Sequence, residues 1–305
     1  MDSVVEAVDS VAGGPHVLVA VRGAHPLWDM TVDRLRATGR RVTHEVLDEH
    51  ARGWNPLSLY RAHPHSDVLV HHDPFVPETG AAGSPSDMVR DLLALGCSPV
   101  FVDFPSGLRD TALQRRLRSA YLAALEPSPT ALRESADAVA NVIGRARALD
   151  VVSDAGVLRI SRPWQLRDDW SSAACDGPVR QLPGAEVWLA CEPERVDGVL
   201  STAAGREPAV LTVRAGRIRG GPPAFAAEPI VELGIGVNPR AAWLPGTSLA
   251  EKAAGRLHVG FGDNALLGGS RTAPVHFDIP LSKDSRAWAV MEDDRRVRVD
   301  LLRHS

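Results

Sequence analysis

A histidine and an aspartate two residues apart, His276 and Asp278, are the side chains of this sequence best spaced for chemistry. In a β-strand, positions i and i+2 lie on the same face, so the imidazole and the carboxylate would stand side by side while Phe277 turns toward a core. An imidazole beside a carboxylate is half of a site for Zn²⁺, Co²⁺ or Fe²⁺. The spacing therefore predicts that His276 and Asp278 bind a metal ion.

Three further residues could complete such a site. His258 lies in the run GRLHVGFGDN, where it would point away from the alternating apolar residues and among glycines. Glu186 and Glu232 are acids inside apolar, strand-like runs, and a buried carboxylate is costly unless it is paired or bound to a cation. Exposure on an edge strand is the alternative for either glutamate, as is a hydrogen-bonded core position for His258. Together the five residues would have the composition of a two-metal hydrolase.

The elements that would carry these residues belong to a β-rich second half of the chain. Short strand-like runs separated by Gly and Pro predict a mostly antiparallel β domain, with a hairpin that turns at residues 154–156. Strand patterns continue at residues 186–190, 209–214 and 217–219, and residues 248–254 are predicted to be helical. Tryptophans of this half could line an apolar pocket, although the strand pattern favours core packing for Trp188.

The first half alternates strands with helices, which is typical of a doubly wound parallel sheet. Neither a GxxxxGK[ST] nor a GxGxxG motif follows a predicted strand, so no nucleotide site is indicated. We expect an α/β fold with a doubly wound α/β domain at residues 1–150 and a β-rich, metal-binding domain at residues 151–305. Strands are predicted at residues 16–22, 41–47, 67–71 and 99–104, and helices at 3–11, 27–38, 86–95, 111–125 and 129–149.

Composition excludes several functional classes. The 305 residues include 34 Lys and Arg against 38 Asp and Glu, so no basic excess indicates nucleic-acid binding. Cys97, Cys175 and Cys191 cannot all pair, which favours a reducing compartment over a disulfide scaffold. The sequence has no apolar run long enough to span a membrane, and MDSVVEAVDS lacks the basic region of a secretory signal. We expect a cytoplasmic protein that binds neither nucleic acid nor membranes.

The second half resembles a known enzyme family. Residues 232–281, from ELGIGVNPRA through EKAAGRLHVGFGDN to HFDIPL, resemble the C-terminal region of the M29 metallo-aminopeptidases. LPGAEVWLACEP at residues 182–193 is similar to the LPxGEVFTAP segment of that family, and AVLTVRAGRI at residues 209–218 falls where the family has a hairpin. The similar stretch covers about a third of the chain.

The resemblance implies a pair of divalent ions, usually zinc or cobalt, that activate a water molecule to hydrolyse a peptide or small-molecule amide bond. One carboxylate would bridge the ions or accept the proton of that water, and both ions would stabilise the oxyanion. A homodimer is also implied. The metal ligands would be Glu186, Glu232, His258, His276 and Asp278.

One further position matches the family and one departs from it. Glu251 aligns with an acidic position of the peptidases, so the candidate catalytic residues are Glu186, Glu232 and Glu251. The peptidases have a tyrosine seven residues after the first histidine ligand, where this chain has Ala265. Asp263 or Asn264 could substitute for that tyrosine in part.

The same region of this chain also resembles the 2,5-dihydroxypyridine ring-cleaving dioxygenases, which end in HLDIP where this chain has HFDIP. Their iron site uses two histidines and one aspartate, with a histidine in place of Glu232 and another residue in place of His258. This second resemblance implies Fe(II) and a small aromatic or natural-product substrate. The sequence thus predicts a metal-dependent hydrolase of the aminopeptidase type. The alternatives are a dioxygenase-like enzyme and a non-catalytic binding protein on the same scaffold.

Overall fold

The structure is a computed structural model, and it describes residues 14–22, 25–47, 57–72, 85–105, 111–168, 180–203, 208–221 and 228–299. The helix predicted at residues 3–11 lies outside these ranges. By its internal contacts the chain divides into two compact units. Met1–Pro129 and Pro178–Pro183 form the first unit, and Thr130–Gly177 and Gly184–Ser305 form the second. The predicted domain boundary near residue 150 stays a prediction.

Within the described ranges, the helices are α1 (Pro26–Ala37), α2 (Leu57–Ala62), α3 (Pro85–Ala94), α4 (Ala112–Ala124), α5 (Pro129–Ile143) and α6 (Ser248–Lys252). The strands are β1 (His16–Arg22), β2 (Arg41–Leu47), β3 (Asp67–His72), β4 (Ser98–Asp103), β5 (Ala148–Ser153), β6 (Gly156–Ser161), β7 (Trp164–Asp168), β8 (Arg180–Leu182), β9 (Glu186–Cys191), β10 (Val196–Thr202), β11 (Ala209–Arg214), β12 (Arg217–Gly220), β13 (Ile230–Gly236), β14 (Leu257–Gly262), β15 (His276–Pro280), β16 (Arg286–Val290) and β17 (Arg296–Arg298).

The first unit contains a parallel sheet with the strand order β2-β1-β3-β4-β8. Its central strands contain apolar runs, such as VLVAV in β1, that are buried because a parallel sheet is covered on both faces. The order 2-1-3-4 is that of doubly wound sheets, as the alternating pattern predicts. None of the helices in the described ranges is long and apolar enough to cross a membrane.

The second unit contains two antiparallel sheets. The larger has the order β12-β11-β10-β6-β5-β16-β17, and the smaller has the order β15-β14-β13-β9-β7. The predicted hairpin is confirmed, since β5 ends at Ser153 and β6 begins at Gly156. Parallel and antiparallel sheets in one chain confirm a mixed α/β protein.

The helix predicted at residues 129–149 is wrong over its last six residues. Helix α5 ends at Ile143, and the chain then enters β5, where Leu149 and Val151 are fully buried. Strand β5 pairs with both β6 and β16, and β16 lies far away in the sequence. Local periodicity cannot register that distant pairing, which overrides the helical pattern.

Candidate metal centre

The smaller sheet of the second unit brings the five candidate ligands together on one face. Side chains alternate along each strand, so the opposite face of β13 and β14 carries buried apolar residues such as Leu233 and Val259. Cross-strand register aligns the donors, because Gly260 pairs with both Glu232 and Asp278. The donors are Glu186 on β9, Glu232 on β13, His258 on β14, and His276 and Asp278 on β15.

Glycines between the donors make room for them. A Cβ atom on Gly234 would lie 1.9 Å from Cε1 of His258, so the imidazole fills the space that this glycine leaves open. A Cβ atom on Gly260 would lie 2.6 Å from Oε2 of Glu232 and 2.8 Å from Oδ1 of Asp278. Both glycines stand two residues from a donor on the same strand, in ELGIG and HVGFG. This two-residue spacing of donor and glycine is a sequence signal for the site, of which the prediction used only the glycines around His258.

Four pairs of donor atoms are spaced as two ligands of one ion would be. Nε2 of His258 lies 3.6 Å from Oε1 of Glu232 and 4.0 Å from Oδ1 of Asp278. Nε2 of His276 lies 3.2 Å from Oε2 of Glu232 and 3.3 Å from Oδ1 of Asp278. Donors bound at about 2.1 Å from a common ion are separated by roughly 3 to 4 Å, as simple geometry requires. Glu232, His258 and Asp278 each offer a ligand atom within 4.8 Å of the other two.

Unsatisfied carboxylate oxygens show that this donor set fits a cation. Oε2 of Glu186, Oε2 of Glu232 and Oδ1 of Asp278 are buried and make no hydrogen bond to the described residues, although imidazole nitrogens approach all three. Buried carboxylate oxygens without partners are strongly unfavourable. A divalent cation bound beside Glu232 and Asp278 would satisfy their oxygens with charge and coordination.

A backbone carbonyl orients His276. Its Nδ1 donates a hydrogen bond to the carbonyl oxygen of Asp263 over 2.5 Å, which leaves Nε2 facing the carboxylates. A ring hydrogen bond of this kind fixes the tautomer of a metal-binding histidine. Nδ1 of His258, by contrast, is buried and has no hydrogen-bond partner in the described part of the chain.

The electrostatics of the site favour positive charge. Burial alone would lower the pKa of His258, but contact with Glu232 and the charge of Glu186 raise it to about 10. Burial would likewise lower the pKa of His276, which Asp278 and Glu232 raise to about 12. Burial would raise the pKa of Glu232, yet both histidines hold it below its usual range. Without a cation, protons on the imidazoles balance the carboxylates, and a metal ion would compete with those protons.

Glu186 differs from the other donors because one of its oxygens already has a partner. Nζ of Lys252, at the end of α6, forms a buried ion pair with Oε1 of Glu186. The other oxygen, Oε2, lies 3.7 Å from Nε2 of His258. Lys252 is not among the predicted site residues, and its only local sequence signal is a lysine among the small and apolar residues of SLAEKAAG.

Glu251 lies within electrostatic range of the site. Its side chain is half-buried, and burial followed by the charge of Asp278 raises its pKa to about 8. A carboxyl group with such a pKa can gain or lose a proton near neutral pH. The catalytic roles of Glu186, Glu232 and Glu251 stay proposals.

The structure does not support the expectation that Asp263 or Asn264 replaces the missing tyrosine. The carboxylate of Asp263 accepts hydrogen bonds from the backbone N–H groups of Ala265 and Ala273. The amide of Asn264 donates to the carbonyl oxygens of Cys191 and Val231. Both side chains therefore hold their own loop in place.

Comparison with known proteins yields a structural neighbour. No model of a protein family matches the chain, and no curated protein does. The solved structure of 2,5-dihydroxypyridine dioxygenase from Pseudomonas putida KT2440 is similar, with a TM-score of 0.66 and 17% sequence identity over 97% of this chain and 94% of that one. The match shows a common fold. It supports the dioxygenase part of the resemblance, while the aminopeptidase part stays a prediction.

Proposed function

We propose that this protein is a metal-dependent enzyme that binds a single divalent ion and acts on a small molecule. For an oxygenase, which is the first candidate function, that ion is Fe(II). The observation that carries the proposal is the donor spacing: Nε2 of His258 and Nε2 of His276 each lie 3.2 to 4.0 Å from carboxylate oxygens of both Glu232 and Asp278. Two imidazoles with carboxylates are the donors typical of non-haem iron sites.

An ion held by these residues would supply redox and Lewis-acid chemistry at the coordination positions that the protein leaves open. The chain's own residues orient and tune that site. The carbonyl of Asp263 aims Nε2 of His276 at it, and Gly234 and Gly260 let His258 and the carboxylates converge. The fold shared with a dioxygenase supports an oxygenase acting on a small aromatic substrate. Glu232 distinguishes this chain from the dioxygenase pattern, which has a histidine there.

Two side chains near the donors have properties suited to a bound substrate. Trp188 shares the ligand face of β9 with Glu186 and pairs in register with Gly234. Its indole N–H is buried without a hydrogen-bond partner in the described residues, so it can donate to a substrate oxygen. The carboxyl of Glu251, with a pKa of about 8, can hold or release a proton during turnover.

Hydrolysis is the second candidate function. The same carboxyl of Glu251 favours it, because a group with a pKa near 8 can accept a proton from an attacking water. The resemblance of residues 182–193 and 232–281 to M29 aminopeptidases points the same way. Hydrolysis would require zinc or cobalt. It would require two such ions if all five ligands act as they do in the peptidases.

Metal identity and reactivity test the proposal. The protein would be purified anaerobically without chelator, analysed for bound metals, loaded with Fe(II) and exposed to nitric oxide, a probe for iron with an open coordination position. We expect about one iron per chain and a high-spin iron–nitrosyl resonance, both absent in the matched variant His276→Ala. A zinc- or cobalt-loaded protein that hydrolyses leucine p-nitroanilide, with no nitrosyl signal from the iron form, would overturn the oxygenase form. Failure to bind any divalent metal would overturn both candidates.

A further inference from the structure

The ion pair between Glu186 and Lys252 lies at the edge of the donor cluster and is itself buried. The side chain of Lys252 is 2% exposed and that of Glu186 is 9% exposed. Lysine is rarely buried to this extent unless it is paired, so an ammonium group here is tied to the carboxylate beside it.

The backbone brings Lys252 over Glu186 because another glycine leaves room. Gly236 is the register partner of Glu186 on β13. A Cβ atom on Gly236 would lie 2.3 Å from the carbonyl oxygen of Ala253 and 2.5 Å from that of Glu251, so the end of α6 packs directly on this glycine. A hydrogen bond from the N–H of Asn238 to the carbonyl oxygen of Lys252, 2.9 Å long, fixes the same segment.

We propose that the ammonium group of Lys252 takes the place of a second metal ion and limits the site to one. A second ion would need Glu186, the candidate ligand that the first ion does not use, together with His258, which lies beside it. Oε1 of Glu186 is held by Lys252, which leaves only Oε2 and Nε2 of His258, 3.7 Å apart, for such an ion. A divalent ion bound there would stand against the ammonium group in a buried environment, where like charges repel strongly.

The charges of the buried donors agree with one ion. Glu186, Glu232 and Asp278 carry three negative charges, which one ammonium group and one divalent ion balance. A second divalent ion would leave a surplus of two positive charges in a site with little solvent to screen it.

The inference rests on the proposed function, in that the donors must bind a metal at all. Its test is the number of ions bound, measured by equilibrium dialysis of folded, full-length protein against Co²⁺ and by metal analysis. The wild type should bind one Co²⁺ per chain. Lys252→Met, which keeps the length and removes the charge, should bind a second Co²⁺ at least tenfold more tightly than the wild type does. Lys252→Arg, which keeps the charge, should bind one.

A double variant keeps the test decisive if the single substitution prevents folding. Glu186→Gln together with Lys252→Met removes both charges, and it should bind one Co²⁺ because the second half of the donor set is lost. Two ions in the wild type, two in the double variant, or one in a folded Lys252→Met protein would each overturn the inference. A wild type without any bound Co²⁺ would instead overturn the proposed function.

Discussion

Gly234 and His258 pair across neighbouring strands, and the imidazole of His258 occupies the volume where a side chain of residue 234 would begin. A Cβ atom on Gly234 would lie 1.9 Å from Cε1 and 2.1 Å from Nε2 of that ring. The position of a donor atom is thus set by the absence of a methyl group on the next strand. Metal affinity is sensitive to such placement, because ligand atoms must converge to within a few tenths of an ångström.

Replacing Gly234 with alanine should displace His258 and weaken metal binding. We expect the affinity for Co²⁺ to fall at least tenfold, because the ring cannot keep its position beside a Cβ atom. The measurement is a Co²⁺ titration followed by absorption spectroscopy. Gly220→Ala is the matched control, since a Cβ atom there would meet only Thr212, at 3.4 Å or more. Equal affinity in the two variants would show that His258 is not a ligand.

Metal binding should release protons and strengthen as the pH rises. Without a cation, the pKa values of His258 and His276 are raised to about 10 and 12, so both rings are protonated at neutral pH. A metal ion must displace those protons, so about two protons should leave per ion bound. Calorimetry in two buffers of different ionisation enthalpy measures this number. A heat of binding that does not depend on the buffer would contradict the account.

The same shifts give the metal-free protein a defined pH dependence. A histidine whose pKa is raised on folding stabilises the folded state fully below its unfolded value of about 6.5, and this contribution is lost as the pH rises through its folded value. For His258 and His276, the loss would begin above pH 6.5 and continue toward pH 10 to 12. Urea unfolding of chelator-treated protein should show that the free energy of unfolding falls across this pH range. The fall should be smaller for His276→Ala, which lacks one of the two histidines.

The sequence could predict the ligand face but not the contacts made across it. The two-residue spacing of His276 and Asp278 was enough to place both side chains together, and Nε2 and Oδ1 lie 3.3 Å apart. The ion pair of Glu186 with Lys252 joins residues 66 positions apart and depends on where α6 lies, which no local pattern encodes. The start of strand β5, at Ala148 and Leu149, was predicted as helix for the same reason, since these residues pair with the distant strand β16.

Asn238 should be important for stability, because it joins the segment before Glu186 to α6. Its amide donates to the carbonyl oxygen of Gly184, and its Oδ1 accepts from the N–H groups of Arg240 and Ala241 over 2.9 and 3.1 Å. Replacement with alanine should lower the free energy of unfolding by about 2–4 kcal/mol, because buried groups lose their partners.

Urea unfolding measures the effect of Asn238→Ala directly. Ser135→Ala is the control, since that hydroxyl is exposed and donates a hydrogen bond to the carbonyl oxygen of Ala131, one turn earlier in the same helix. Its effect should stay within about 0.5 kcal/mol. Equal stability of the two variants would show that the Asn238 contacts do not hold the segment.

X-ray absorption spectroscopy of the Co²⁺-loaded protein tests the central claim most directly, because it counts the imidazoles bound to the metal. The geometry predicts nitrogen and oxygen donors only, with outer-shell scattering from two imidazoles per ion. His258→Ala and His276→Ala should each lose one imidazole. A spectrum with no imidazole scattering, or with the same imidazole count in both variants as in the wild type, would contradict a metal centre at these residues.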